Sequence, residues 1–181
     1  MVKDLPVDLI SMASEQGFSA VALMEVDQVP LNGDFRQFCE QNACGNYNAN
    51  YSCPPTCGTF GQMRDRLHAY KNALFLQSRW YLPDLSDKKS VTAVRKTHNE
   101  HMMVMAGVLN ALGISTLICG SSSCLLCEQC ADLSGEPCRN PNLAYSCLSA
   151  YCVDVFELCK KLGWDASYKD GYLTFYGILA F

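Results

Sequence analysis

The chain has 181 residues, of which 49% are hydrophobic and 18% are charged, and its formal net charge is −4. This composition excludes an intrinsically disordered chain and predicts a globular protein that is long enough for one domain with its own core. The acidic balance, with no basic stripe to neutralise phosphates, argues against nucleic-acid binding.

Apolar periodicity predicts alternating helices and strands. The helices are predicted at residues 6–16, 59–70, 86–112 and 148–162, and the strands at residues 19–26, 72–81, 114–119 and 172–181. We expect three of the helices to end at a glycine: Gly17, Gly113 and Gly163. The order favours an α/β fold, a single-domain layered sandwich over residues 1–181 with a mixed sheet of about four strands and some parallel pairing.

Twelve cysteines are far more than a chain of this length usually carries. The N-terminus has two early acids and no long apolar run, so we expect no signal peptide, and no stretch approaches the roughly 18 apolar residues of a membrane span. We therefore expect a cytoplasmic protein, because thiols stay reduced there and clustered cysteines serve as ligands or catalysts rather than as disulfides.

The first cysteine group follows the first predicted strand and consists of Cys39, Cys44, Cys53 and Cys57. Its segment is rich in Asn, Gly and Pro, which predicts a loop folded around an ion rather than a regular element. The spacings match no metal-site template. The Cys53-Pro54 pair is similar to the Cys-Pro that ends a ferredoxin cluster-binding run.

The second cysteine group follows the third predicted strand and has the most specific spacing in the chain. Cys124, Cys127 and Cys130 are separated by two residues each, and Cys138 follows farther along. Zinc sites typically take their ligands in pairs, whereas this pattern wraps a cubane iron–sulfur cluster, so the spacing favours [4Fe–4S] over zinc. Both groups are predicted to leave the C-terminal ends of strands, where open α/β sheets collect ligands.

Other cysteines and two histidines admit simpler interpretations. Cys152 and Cys159 lie seven residues apart on the apolar stripe of the last predicted helix, where we expect core packing. Cys147 is either a spare thiol or an extra ligand, and Cys119 is an alternative fourth ligand of the second group.

His98 and His101 lie three residues apart on the long helix and share a face. Metal binding by this pair would need partners from elsewhere, and none is evident in the sequence, so we expect a hydrogen-bonded structural role.

Both cysteine groups resemble those of a family of predicted metal-binding proteins that is common in anaerobic microbes. Three stretches carry the likeness: residues 39–55 with Ser-Cys-Pro-Pro, Asn99-Glu100 in the long helix, and residues 120–155 with Pro137-Cys138-Arg139-Asn140-Pro141 and Val153-Asp154-Val155. The resemblance implies that a larger set of cysteines are ligands: Cys124, Cys127, Cys130 and Cys138, together with Cys39, Cys44 and Cys53. The chain departs from the family pattern at Cys147, Ser149 and Cys152, where the family has Ser, Glu and Gly, so no acid/base role is carried over.

Together these patterns predict a cytoplasmic protein with one or two [4Fe–4S] clusters, acting in electron transfer or as an accessory to an anaerobic redox enzyme. Its expected partner is a redox protein with a basic patch, and neither nucleic acid nor membrane. Two alternatives stay open. One is an enzyme whose cluster, ligated by Cys39, Cys44 and Cys53 alone, keeps an open iron corner for a small substrate. The other is a structural zinc module for protein interaction.

Overall fold

The computed structural model describes residues 7–181 and contains one open, mixed β-sheet. Its five strands are β1 (Ala20–Glu25), β2 (Asn72–Tyr81), β3 (Leu117–Gly120), β4 (Ser146–Cys147) and β5 (Tyr172–Ala180), in the spatial order β1-β2-β5-β3-β4. Neighbouring strands are antiparallel except β3 and β4, which are parallel. The predicted mixed sheet is confirmed, with five strands instead of about four.

Five α-helices surround the sheet: α1 (Leu9–Glu15), α2 (Arg36–Glu40), α3 (Phe60–His68), α4 (Lys88–Ala111) and α5 (Val155–Leu162). Four of them correspond to predicted helices, although residue 6 of the first prediction lies outside the described residues. Each of the four begins after a side chain that accepts a hydrogen bond from the backbone of the first turn: Asp8, Thr59, Asp87 and Asp154. The short α2, which carries Cys39, was not predicted.

Helices cover both faces of the sheet, because the side chains of the central strands alternate between two cores. In β2, Ala73 and Phe75 belong to the core that α3 and α5 cover, whereas Leu74 and Leu76 belong to the core that α1 and α4 cover. The residues that the helices contribute include Met63, Leu67, Leu158 and Cys159 on the first face and Leu9, Ala13, Met102, Met105 and Leu109 on the second. This arrangement is the predicted layered sandwich.

The last helix is shorter than predicted, because it begins at Val155 and not at residue 148. Leu148 donates its backbone N–H to Gly120 and so continues the contact between β4 and β3. Cys152 then adopts a left-handed backbone (φ 56°), which ends the preceding turn, and the Asp154 side chain accepts from Glu157 N–H to start α5. Cys152 is thus buried in a turn outside the helix.

The parallel pair of strands positions the second cysteine group. The C-terminal ends of β3 and β4 lie side by side at one edge of the sheet, with Gly120 paired to Cys147 in register. β3 leads directly into the second group, whereas α2 and two 3₁₀ turns separate β1 from most of the first group. Among residues 7–181, no helix combines the length and the apolar character that crossing a membrane requires.

Candidate metal centre

The four cysteines of the second group line one cavity, which we call cavity B. It has a volume of about 210 Å³, and its walls include Cys124, Cys127, Cys130 and Cys138. Since one water molecule needs about 10–15 Å³ of such space, cavity B has room for a group much larger than a single ion. The structure therefore brings together all four side chains that the spacing selected.

Asn99 on α4 fixes the start of the loop that carries the second group. Its side chain is 1% exposed, and its Oδ1 accepts hydrogen bonds from the backbone N–H (2.9 Å) and the hydroxyl (3.0 Å) of Ser121. Its Nδ2 donates to Ser122 Oγ at 2.9 Å. A side chain at Gly120 would collide with Asn99 Oδ1 and the Tyr145 ring, so glycine is required for this close approach. The chain consequently leaves β3 in one fixed direction.

Two side chains of cavity B also hold the far part of this loop in place. The Tyr51 hydroxyl donates to the carbonyl oxygen of Glu136 at 2.7 Å, and Arg139 Nη1 donates to the carbonyl oxygen of Gln129 at 3.0 Å. Both Tyr51 and Arg139 line the cavity. Tyr51 lies in the segment that carries the first cysteine group, so both cysteine-rich segments contribute to cavity B.

Cationic and amide side chains line cavity B. Arg66 and Arg139 are part of its wall, and Asn140 Nδ2 donates to Cys127 Sγ at 3.4 Å. Burial raises the pKa of the Cys124 thiol, and a thiol binds metal only as the thiolate. Metal binding must therefore release the Cys124 proton, and the hydrogen bond from Asn140 favours a thiolate at Cys127.

A second cavity, cavity A, is lined by three cysteines of the first group and by one cysteine from the end of β4. Its volume is about 150 Å³, and the four thiols are those of Cys39, Cys44, Cys53 and Cys147. Arg95 of α4 also lines it. Cavity A therefore combines a short segment of the first group with a residue far along the chain.

Cys57, the fourth cysteine of the first group, does not line cavity A. It is 5% exposed and belongs to the core on the α3 and α5 face of the sheet. Arg36 Nη1 lies 4.0 Å from its sulfur, while Nη2 of the same guanidinium donates to the carbonyl oxygen of Ala150 at 3.0 Å. The structure thus brings three of the four cysteines of this group together and leaves Cys57 outside.

Burial raises the pKa of the Cys39, Cys53 and Cys147 thiols in cavity A. The pKa of Cys53 is raised to about 11 and that of Cys147 to about 12, and the pKa of Cys39 is raised as well. For Cys147, burial is the main cause, and the neighbouring Cys53 and Cys39 thiols add to it. Metal binding in cavity A must also release protons from buried thiols.

The remaining cysteines line neither cavity. Cys119, the alternative to Cys138 as a ligand, is fully buried in β3 and packs in the core, and burial raises the pKa of its thiol. Cys159 packs in the same core from α5, where core packing was expected. Cys152 is fully buried in the turn before α5. All twelve cysteines are free thiols.

Cavities A and B share one wall, which three Ser-Cys dipeptides build. In each of them the serine lines one cavity and the cysteine lines the other: Ser52-Cys53, Ser123-Cys124 and Ser146-Cys147. Ser52 Oγ accepts the backbone N–H of Cys124 at 2.9 Å and donates to Asn50 Oδ1 at 2.6 Å. Cys53 of cavity A is therefore joined to Cys124 of cavity B through one residue and one hydrogen bond.

The thiols of each cavity are distributed around its walls. Among residues 7–181, no three His, Cys, Asp or Glu side chains stand close enough together to hold one metal ion.

Comparison with known proteins identifies the family of the chain. The model of a family described as "Predicted metal-binding protein (DUF2284)" matches residues 22–181. The chain belongs to this family. The matched range includes all the cysteines of both cavities, so the predicted metal-binding class and the family resemblance are confirmed. No curated protein and no solved structure matches the chain.

Three supporting residues have only weak signals in the sequence. By sequence, Cys147 is either a spare thiol or an extra ligand, and Ser52 and Asn99 enter only as part of the family likeness. The repeated Ser-Cys dipeptide is the one pattern that could have indicated the wall, since it occurs once in each of the three segments that meet there.

Proposed function

We propose that this metal-binding protein holds two [4Fe–4S] clusters, one in cavity A and one in cavity B, and that it transfers electrons to and from a redox partner protein. The observation that carries the proposal is the placement of Cys124, Cys127, Cys130 and Cys138 around cavity B. Their spacing is typical of cubane ligation, and the cavity has room for an inorganic core. A cluster of this kind supplies one-electron transfer when it is bound.

The spacing of the second group supports clusters over zinc. Zinc sites typically take their ligands in pairs, whereas Cys124, Cys127 and Cys130 follow one another at two-residue intervals and Cys138 lies farther along. A cubane core has four separate corners, and each corner takes one thiolate from a different direction. The loop of the second group provides such directions, because it runs around cavity B from Cys124 to Cys138.

The shared wall supports a relay. Cys53 and Cys124, which line different cavities, are connected through Ser52 by a covalent segment and a 2.9 Å hydrogen bond. A short connection of this kind couples two redox centres, whereas two distant centres would act separately. A hydrogen bond to sulfur would tune the reduction potential of the cavity B cluster, because Asn140 donates to Cys127.

We also propose a cytoplasmic location, an anaerobic redox pathway and a partner that presents a basic patch. Twelve free thiols are compatible with a reducing compartment, where thiols are kept from forming disulfides. The formal net charge of −4 favours a basic partner surface, since complementary charge accelerates encounter.

The test is metal analysis of protein purified without oxygen, together with two variants. The wild type should contain about eight iron and eight sulfide per chain, four of each for every cubane. Cys44→Ala with Cys53→Ala should retain about half the iron, and Cys124→Ala with Cys127→Ala should retain the other half, because separate sites behave additively.

Cys159→Ala is the control, because Cys159 packs in the core and lines neither cavity. It should lower stability and leave the iron content unchanged. Loss of essentially all iron in either double variant would indicate one shared cluster. Colourless wild-type protein with stoichiometric zinc and no acid-labile sulfide would refute the iron–sulfur proposal and leave the zinc module as the function.

A further inference from the structure

The C-terminal ends of the two parallel strands meet at cavity A. β3 ends at Gly120, and Ser121, Ser122 and Ser123 line cavity A before the chain passes into cavity B. β4 ends at Cys147, whose register partner is Gly120. In open α/β sheets, ligands bind beyond the carboxyl ends of neighbouring strands. Cys147 therefore stands where the sheet itself would present a ligand.

The first cysteine group is fixed against the turn that follows β4. Cys39 Sγ donates to the carbonyl oxygen of Ser149 at 3.9 Å, and Arg36 Nη2 donates to that of Ala150 at 3.0 Å. These contacts attach α2 to the segment immediately after Cys147. The thiols of Cys39 and Cys147 consequently line the same cavity, although they are far apart in the chain.

We propose that Cys147 is the fourth ligand of cavity A, together with Cys39, Cys44 and Cys53, and that Cys57 is not a ligand. On binding, the Cys147 thiol releases its proton to solvent and its sulfur forms a bond to the metal centre. This assignment rests on the proposed function for the identity of the centre as a cluster. The ligand set itself depends only on the geometry of the cavity.

A fourth thiolate changes what the site can do. Ligation by Cys39, Cys44 and Cys53 alone would leave one corner of a cubane open for a substrate, as in the enzyme alternative. Cys147 would close that corner, and a centre with four thiolates would exchange electrons without binding substrate at iron.

The experiment compares the metal content of Cys147→Ala and Cys57→Ala, each in the wild-type chain and in the two double variants described above. Cys147→Ala should lose metal, between one iron and the whole centre of cavity A, because three thiolates hold the centre with one corner open or not at all, and Cys57→Ala should retain all of the metal. Combined with Cys124→Ala and Cys127→Ala, Cys147→Ala should lose metal from the half that the double variant retains. Combined with Cys44→Ala and Cys53→Ala, it should cause no further loss, because both changes act on one site.

The retained centre in cavity B is the folding control, since a chain that misfolds would lose both centres. The assignment is overturned if Cys57→Ala loses half of the metal while Cys147→Ala retains it, or if Cys147→Ala adds to the loss caused by Cys44→Ala and Cys53→Ala. The identity of the metal is measured separately. Zinc in the wild type would refute the proposed clusters, while the same variants would still decide which cysteine is the ligand.

Discussion

His98 is an ionisable side chain that the fold keeps neutral. It lies fully buried on α4, and its Nδ1 is 2.7 Å from Ser78 Oγ, which also accepts a hydrogen bond from Trp80 Nε1 at 2.9 Å. Trp80 donates to the Ser78 oxygen, so the Ser78 proton is available for His98 Nδ1, which accepts it only as a neutral imidazole. Burial lowers the pKa of His98 to about 4 from an ordinary value of 6.5.

This lowered pKa predicts a loss of stability in acid. The unfolded chain binds a proton at His98 more readily than the folded chain does. The stability that His98 contributes is therefore fully present above about pH 6.5 and is lost as the pH falls towards 4. The loss approaches about 3 kcal/mol, because one unit of pKa is worth about 1.4 kcal/mol. Urea denaturation of the wild type and of His98→Gln at a series of pH values measures it.

His98→Gln should be less stable than the wild type at pH 6.5, and it should lose less stability than the wild type between pH 6.5 and 4. A His98→Gln chain whose stability falls as steeply as that of the wild type would show that other groups cause the acid sensitivity.

At the scale of elements, β5 and α4 approach each other most closely at Gly177. A methyl group at this position would overlap with Met102 Sδ, which is buried between the helix and the sheet. Gly177→Ala should therefore destabilise the protein by about 1–3 kcal/mol, because overpacking displaces side chains or backbone. The measurement is the shift in the midpoint of chemical denaturation.

Gly107→Ala is the matched control within α4. An added methyl there meets nothing within 4 Å, and Gly107 lies in the interior of the helix. This change should stabilise the protein by about 0.5–1 kcal/mol, since alanine loses less backbone entropy than glycine in a helix. Equal effects of the two substitutions would mean that the contact between Gly177 and Met102 does not limit the packing of the layers.

The elements that could be predicted are those long enough to show a period. β2 and β5 alternate between two cores, and α4 repeats its apolar residues over many turns, so their positions follow from the sequence. β4 has two residues and shows no period, and α2 has five. The start of α5 was missed because apolar residues continue through the buried turn before Asp154, and the Asp154 cap decides the boundary.

At the scale of the whole molecule, one part of the candidate site could be predicted from the sequence and the other part could not. The second cysteine group could be predicted because its ligands are neighbours in the chain, and a short loop brings them together whatever the fold. Cavity A could not, since Cys147 reaches it through the pairing of β3 with β4. Cys57 was predicted as a ligand because it is close in sequence to the other three cysteines of its group. In the structure its core contacts and Arg36 keep it outside cavity A. Contacts between distant segments determine which cysteines line cavity A, and such contacts leave no local pattern in the sequence.

Because cavities A and B share a wall, the two proposed clusters would be neighbours. Electron paramagnetic resonance of the fully reduced protein, prepared without oxygen, tests this proximity most directly. Two adjacent paramagnetic clusters should interact and give one broad, complex spectrum, which should become a simple signal in the Cys124→Ala, Cys127→Ala variant. A reduced wild type without any cluster signal, or with two simple signals that add without interaction, would contradict the proposal of two neighbouring clusters.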